Sequence, residues 1–215
     1  DAIERSYQKV GWDLRNSESE KGVFPTFFDL LDILPGVIEE SHYSKDTQSD
    51  YVGALCTRVK SLTNGIYGSV FCAEDALSDA ELFDCNVVVD LSRVGSMETK
   101  SLLMGILVMK LQEYRMCGSE MNSRLRHVTV LEEAHNLLRK TSAEQPQEGA
   151  NLQGKSVEML ANAIAEMRTY GEGFIIADQA PGLLDMSVIR NTNTKIILRL
   201  PDEEDRKLVG KSAAL

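Results

Sequence analysis

A chain of 215 residues, 43% of them hydrophobic, can fill the core of one large domain or two small ones. No apolar run approaches the roughly 20 residues needed to span a bilayer, and the opening Asp-Ala-Ile-Glu-Arg-Ser-Tyr is neither a signal peptide nor an initiating methionine. A piece of a longer, soluble protein is therefore expected. The net charge of -10 excludes a uniformly basic nucleic-acid binder, but its distribution matters more than its total. Residues 1–85 carry 16 acids against 7 bases, a balance of -9, whereas residues 86–215 carry 17 against 16, a balance of -1. That break falls at the first strongly apolar strand pattern, so a mostly helical acidic subdomain is expected over 1–85 and an α/β core over 86–215. The four cysteines, Cys56, Cys72, Cys85 and Cys117, have no Cys-x-x-Cys spacing, which points away from a metal site and toward a reduced, cytoplasmic setting.

In chain order, residues 2–10 read as a helix ended by Gly11-Trp12, and the polar stretch from Asn16 to Gly22 as a loop. Pro25-Thr26 opens a second helix through Leu34, with Thr26 and Asp29 spaced as a variant capping box and Pro35-Gly36 as its stop. Tyr51, Val52, Leu55, Val59 and Leu62 recur at helical spacing and predict a third helix, closed by Asn64-Gly65. Asn86 to Leu91 reads as a buried strand. Ser96 can cap a long helix reaching about Arg115, with Leu102, Leu103, Ile106, Leu107, Leu111 and Tyr114 as its apolar stripe. Val128 to Leu131 is a second buried strand, followed at once by Glu132 and Glu133. A helix from about Ser156 to Tyr170, a strand from Phe174 to Asp178 and a last strand from Lys195 to Leu200 complete the pattern. Alternation of this kind favours a mostly parallel sheet with right-handed crossovers.

Three stretches carry candidate chemistry. Glu132 and Glu133 stand at the carboxyl end of a strand, where open α/β sheets place their sites. Neighbouring residues on a strand point to opposite faces, which suits one acid to a metal and the other to water. Gly149-Ala-Asn-Leu-Gln-Gly-Lys155-Ser156 matches the phosphate-loop pattern and would set Lys155 and Ser156 on phosphate. A phosphate loop needs a buried strand directly before it, and Arg139 to Glu148 is polar, so the match is read as fortuitous. On that reading Thr141 to Gly154 is a loop and Ser156 a helix cap. Gln179, after Ala177-Asp178 and before Pro181, ends the third strand.

Taken together, Glu132-Glu-Ala-His135, Gln179, the Arg168-Thr-Tyr-Gly171 segment and Asn191 to Asp205 resemble the HerA/FtsK superfamily of ring-forming ATPases, particularly the HerA branch. The resemblance covers about residues 86–210. It implies a RecA-like mostly parallel sheet with flanking helices and a small helical insertion on the amino-terminal side. Glu132 then takes the Walker B place toward Mg²⁺, Glu133 activates water, Gln179 senses the γ-phosphate and Arg168 reaches a neighbouring subunit's nucleotide. Arg199 would lie near the subunit boundary.

The resemblance also implies ATP as the nucleotide, a homo-oligomer of hexamer type, duplex DNA moved through its pore, and a nuclease as a further partner. No credible Walker A element is present in these residues, so the isolated chain is expected to be inactive. Two other readings stand beside this one: a VirB4-like conjugation or secretion ATPase, and a non-hydrolysing α/β scaffold. DNA binding is not legible, because no basic stripe with interleaved aromatics is present.

Overall fold

The computed structural model describes residues 1–19, 22–73, 76–140 and 147–212, with the backbone alone described for 147–155. The chain forms two compact units, Asp1–Ala76 and Leu77–Leu215. The division falls ahead of the expected one at residue 85 because a short helix, α5 (Asp79–Phe83), belongs to the second unit. There Phe83 is buried in the core and its ring meets that of Tyr114, 5.9 Å between centroids.

The first unit is helical. It contains α1 (Ala2–Lys9), a two-residue antiparallel pair β1 (Trp12–Asp13) and β2 (Glu18–Ser19), then α2 (Phe27–Glu39), α3 (Lys45–Thr63) and α4 (Gly65–Phe71). The Thr26–Asp29 capping box forms as expected, with Thr26 N–H donating to Asp29 at 2.9 Å. Pro35 does not stop the helix; it lies inside α2, which continues to Glu39 because Ile38 is buried and anchors the last turn. Similarly, α3 begins six residues ahead of its apolar stripe, since Ser44 accepts the Thr47 N–H and caps it there.

The second unit is mixed α/β. Helix α6 (Met97–Gly118) is capped by Ser96, which accepts the Thr99 N–H at 3.3 Å. Its buried face runs through Met104, Val108, Leu111 and Arg115, rotated from the expected stripe, and Leu102 is exposed. Strands β3 (His127–Glu132) and β4 (Glu172–Ala177) pair in parallel, His127 opposite Glu172 and Glu132 opposite Ala177. Between them runs α7 (Gln147–Met167), followed by a single 3-10 turn over Arg168–Tyr170. Gly171 closes that turn at φ 84°, where an added Cβ would stand 2.5 Å from the Arg124 carbonyl oxygen, so only glycine fits. Helices α8 (Met186–Asn191) and α9 (Glu203–Ser212) follow.

The sheet is smaller than the sequence predicts. Asn86 to Leu91 and Lys195 to Leu200 adopt no strand, and Val88, Ile196 and Leu198 are 93%, 87% and 83% exposed. Their β-branched composition favours a strand, but a strand exists only through its ladder, and among the described residues none pairs with them. The helix expected from Ser156 begins at Gln147 instead. Ser156 is thus an interior residue of α7 rather than its cap, and the expected loop is described as helix from residue 147 onward. Its first six residues, 141–146, lie outside the described residues. Among the described residues no helix is long and apolar enough to cross a membrane.

Candidate functional site

The carboxyl ends of β3 and β4 bring Glu132, Glu133 and Gln179 to one place. Val128, Val130 and Glu132 share the open face of the pair, while Leu131 is buried on the other, so Glu132 projects outward. Glu133 leaves the strand in the left-handed region, φ 50° and ψ 45°. For a residue with a Cβ that conformation costs about 1–3 kcal/mol, and the surrounding turn must hold it. The 3-10 helix Ala134–Asn136 does so: Asn136 N–H donates to the Glu133 carbonyl at 2.9 Å, Ser101 Oγ donates to the Asn136 carbonyl, and Ala134 and Leu138 are wholly buried.

Asp178, one residue past β4, ties the two strand ends together. Its side chain is only 3% exposed, and both oxygens are used. Oδ2 accepts the His135 backbone N–H at 2.8 Å and lies 2.9 Å from His135 Nδ1; Oδ1 accepts the Ala180 N–H at 2.9 Å. A carboxylate can only accept, so Nδ1 carries the proton and Nε2 is the ring atom left over. Nε2 is turned toward Glu133, 3.7 Å from Oε2. Gln179 Nε2 donates to the other oxygen, Oε1, at 3.0 Å. Glu133 therefore stands between an amide donor and an imidazole.

Asp178 and His135 were not among the residues expected here. The register makes them neighbours, Glu132 standing opposite Ala177, and the sequence pattern does not give that register.

Arg168 is exposed at the opposite end of the pair, just before β4. Five strand steps separate Glu172 from Ala177, roughly 17 Å at about 3.3 Å per residue, so Arg168 does not join Glu133 within this chain. Arg199 is also exposed. The Gly149–Ser156 match lies along α7, where backbone N–H groups beyond the first turn are spent on intrahelical bonds rather than left for phosphate. Among the described residues no group of three or more His, Cys, Asp or Glu side chains could cage a metal. Glu132 offers one exposed carboxylate, which fits the way Mg²⁺ is held by one or two carboxylates, substrate phosphates and water.

The amino end of the pair is a closed network. Glu172 is fully buried and accepts from Arg115 Nε at 2.9 Å and Thr129 Oγ1 at 2.7 Å, with His127 Nδ1 at 2.8 Å. The Arg115 side chain, 6% exposed, also donates to Asp84 at 2.6 Å and to the Phe83 carbonyl at 2.5 Å. Burial opposes the Arg115 charge, but hydrogen bonds to Asp84 and Glu172 outweigh it and raise its pKa above the ordinary value. Asp84 is held below the ordinary carboxylate range by hydrogen bonds first from the Tyr114 hydroxyl and then from Arg115.

Comparison of the chain with family models, with curated proteins and with solved structures returned no match.

Proposed function

We propose that these residues carry the Walker B half of a HerA-like, ring-forming ATPase with a RecA-like core. The observation that carries this reading is the contact between Gln179 Nε2 and Glu133 Oε1, 3.0 Å, at the carboxyl ends of adjacent parallel strands. An acid able to take a proton from water and an amide able to sense a phosphate are thereby joined. In this reading the substrate is ATP. Glu132 holds Mg²⁺, whose charge would offset that of the phosphates, and Glu133 orients and deprotonates the attacking water. Arg168, at the far end of the pair, acts on the nucleotide of a neighbouring subunit in a homo-oligomer, taken as a hexamer, that moves duplex DNA. A phosphate loop must come from outside these 215 residues.

The test is Glu133→Gln in the full-length protein. The amide keeps the shape and loses the base, so ATP binding persists and turnover stops. Turnover near wild type would remove Glu133 from the chemistry and the Walker B assignment with it; a full-length protein that hydrolyses no ATP would remove the ATPase reading.

A further inference from the structure

We propose that His135 is a second acceptor for the attacking water, fixed in the required tautomer by Asp178. The inference rests on the ATPase reading above but concerns residues that the reading does not use. Glu133 Oε2 and His135 Nε2 are 3.7 Å apart, too far for a direct hydrogen bond and close enough for one water to donate a proton to each. Glu133 alone would leave such a water free to rotate about a single hydrogen bond. Two acceptors set its oxygen and the direction of its lone pair, which is the property an in-line displacement needs.

The ring is placed for this as well as for joining the two strand ends. Its Nδ1–H is held by Asp178, and the same Asp178 oxygen accepts the His135 backbone N–H, so both the ring and the turn carrying it are fixed from one buried carboxylate. In the neutral ring with its proton on Nδ1, Nε2 presents a lone pair. The other Glu133 oxygen is occupied by Gln179, which leaves Oε2 facing the ring. In the step itself the water O–H bond breaks toward Glu133, the proton resides on the Glu133 carboxyl, and the water oxygen bonds to the γ-phosphorus as the bond from that phosphorus to the bridging β,γ oxygen breaks and ADP leaves. Nε2 accepts the second water proton as a hydrogen bond only.

Asp178 is a positioning residue in this scheme, and Asp178→Asn tests it separately. Backbone N–H groups face both Asp178 oxygens, so an amide must set its NH₂ against one of them, and the grip that fixes the ring and its tautomer is weakened. The experiment measures steady-state ATPase kinetics and calorimetric ATP binding in the full-length protein for wild type, His135→Phe, His135→Gln, Asp178→Asn, Glu133→Gln and Glu133→Gln/His135→Phe. His135→Phe and Asp178→Asn are expected to lower kcat by roughly 10²-fold, within the range of a positioned proton acceptor, with KM and ATP affinity within about threefold. His135→Gln, whose amide oxygen approximates the Nε2 position, recovers at least tenfold of that loss. The double variant loses no more than Glu133→Gln alone, because both groups act on one water.

His135→Phe with wild-type kcat overturns the proposal and leaves the ATPase reading standing. Glu133→Gln with wild-type turnover overturns the proposal too, since the water then needs no base at Glu133, whereas a wild-type protein that hydrolyses no ATP overturns the ATPase reading itself. Should His135→Phe fail to fold, His135→Gln decides: a kcat lowered by 10²-fold or more in a folded, ATP-binding protein rejects the acceptor role.

Discussion

Replacing Glu172 by alanine removes the acceptor at the centre of the amino-end network, and the structure sets the size of the effect. Three donors lose their partner: Arg115 Nε, Thr129 Oγ1 and His127 Nδ1. Breaking one side of a buried ion pair costs about 3–5 kcal/mol, chiefly because the remaining charge is stranded. Here Arg115 keeps Asp84 and the Phe83 carbonyl, so the lower end, about 3 kcal/mol, is the expected loss. For a chain of this size that is a fall in Tm of roughly 6–12 °C. Glu172→Gln retains an acceptor and is expected to cost about half as much. Urea denaturation followed by far-UV circular dichroism measures both. Adding Arg115→Met to Glu172→Ala removes the stranded charge and should make the pair less destabilised than the sum of the single changes. A Glu172→Ala chain within 1 kcal/mol of wild type would refute the argument that this network holds the amino end.

Three further outcomes are expected. The 215 residues alone should bind ATP weakly by calorimetry and hydrolyse none; low-micromolar affinity abolished by Lys155→Ala would show that the Gly149–Ser156 match binds phosphate after all. In the full-length ring, Arg168→Ala should lower turnover on the order of a thousandfold, and activity within about twofold of wild type would make Arg168 a helix-end residue only. Asp84, whose folded pKa is depressed, contributes stability that is present above its unfolded value of about 3.9 and is lost as pH falls through the folded value. The gap in urea midpoint between wild type and Asp84→Asn should therefore narrow from pH 5 to pH 2.5, and a gap that widens would reverse the assignment.

What the sequence made legible is tied to local chemistry. β3 and β4 were readable because β-branched, apolar residues precede Glu132 and Asp178, and parallel pairing then brings Glu133 and Gln179 together without further information. Caps were readable too, since Ser96 and the Thr26–Asp29 box act within one turn. Arg115 and Glu172 were not. An arginine on a helix reads as its solvent face until the carboxylate that justifies its burial, 57 residues away, is placed against it. Asp178 and His135 escaped for the same reason, separated by 43 residues and looking singly like turn residues. The segments 86–91 and 195–200 show the converse: strand composition is local, but strand formation needs a partner that a pattern does not name. The polar run Arg139 to Glu148 made Thr141 to Gly154 look like loop, while through residues 147–154 the helix is carried by strong formers such as Ala150, Leu152 and Gln153.

The two ends of the β3–β4 pair depend on one another through register. A two-stranded sheet is marginal by itself, and a slip of one residue would turn Leu131 to solvent and Glu132 into the core. At the amino end, Glu172 sits opposite His127 and bonds both to it and to Thr129, so a slipped β4 would pull a buried carboxylate away from two β3 donors as well as from Arg115. That penalty falls where the side chains are 0% and 6% exposed and charge separation is least screened. At the carboxyl end the left-handed Glu133, half exposed and strained, resists a shift little by itself, and buried Asp178 holds the turn after it through the His135 N–H and Nδ1. The closed network at the amino end and the Asp178–His135 tie at the carboxyl end therefore act together to keep Gln179 within 3.0 Å of Glu133.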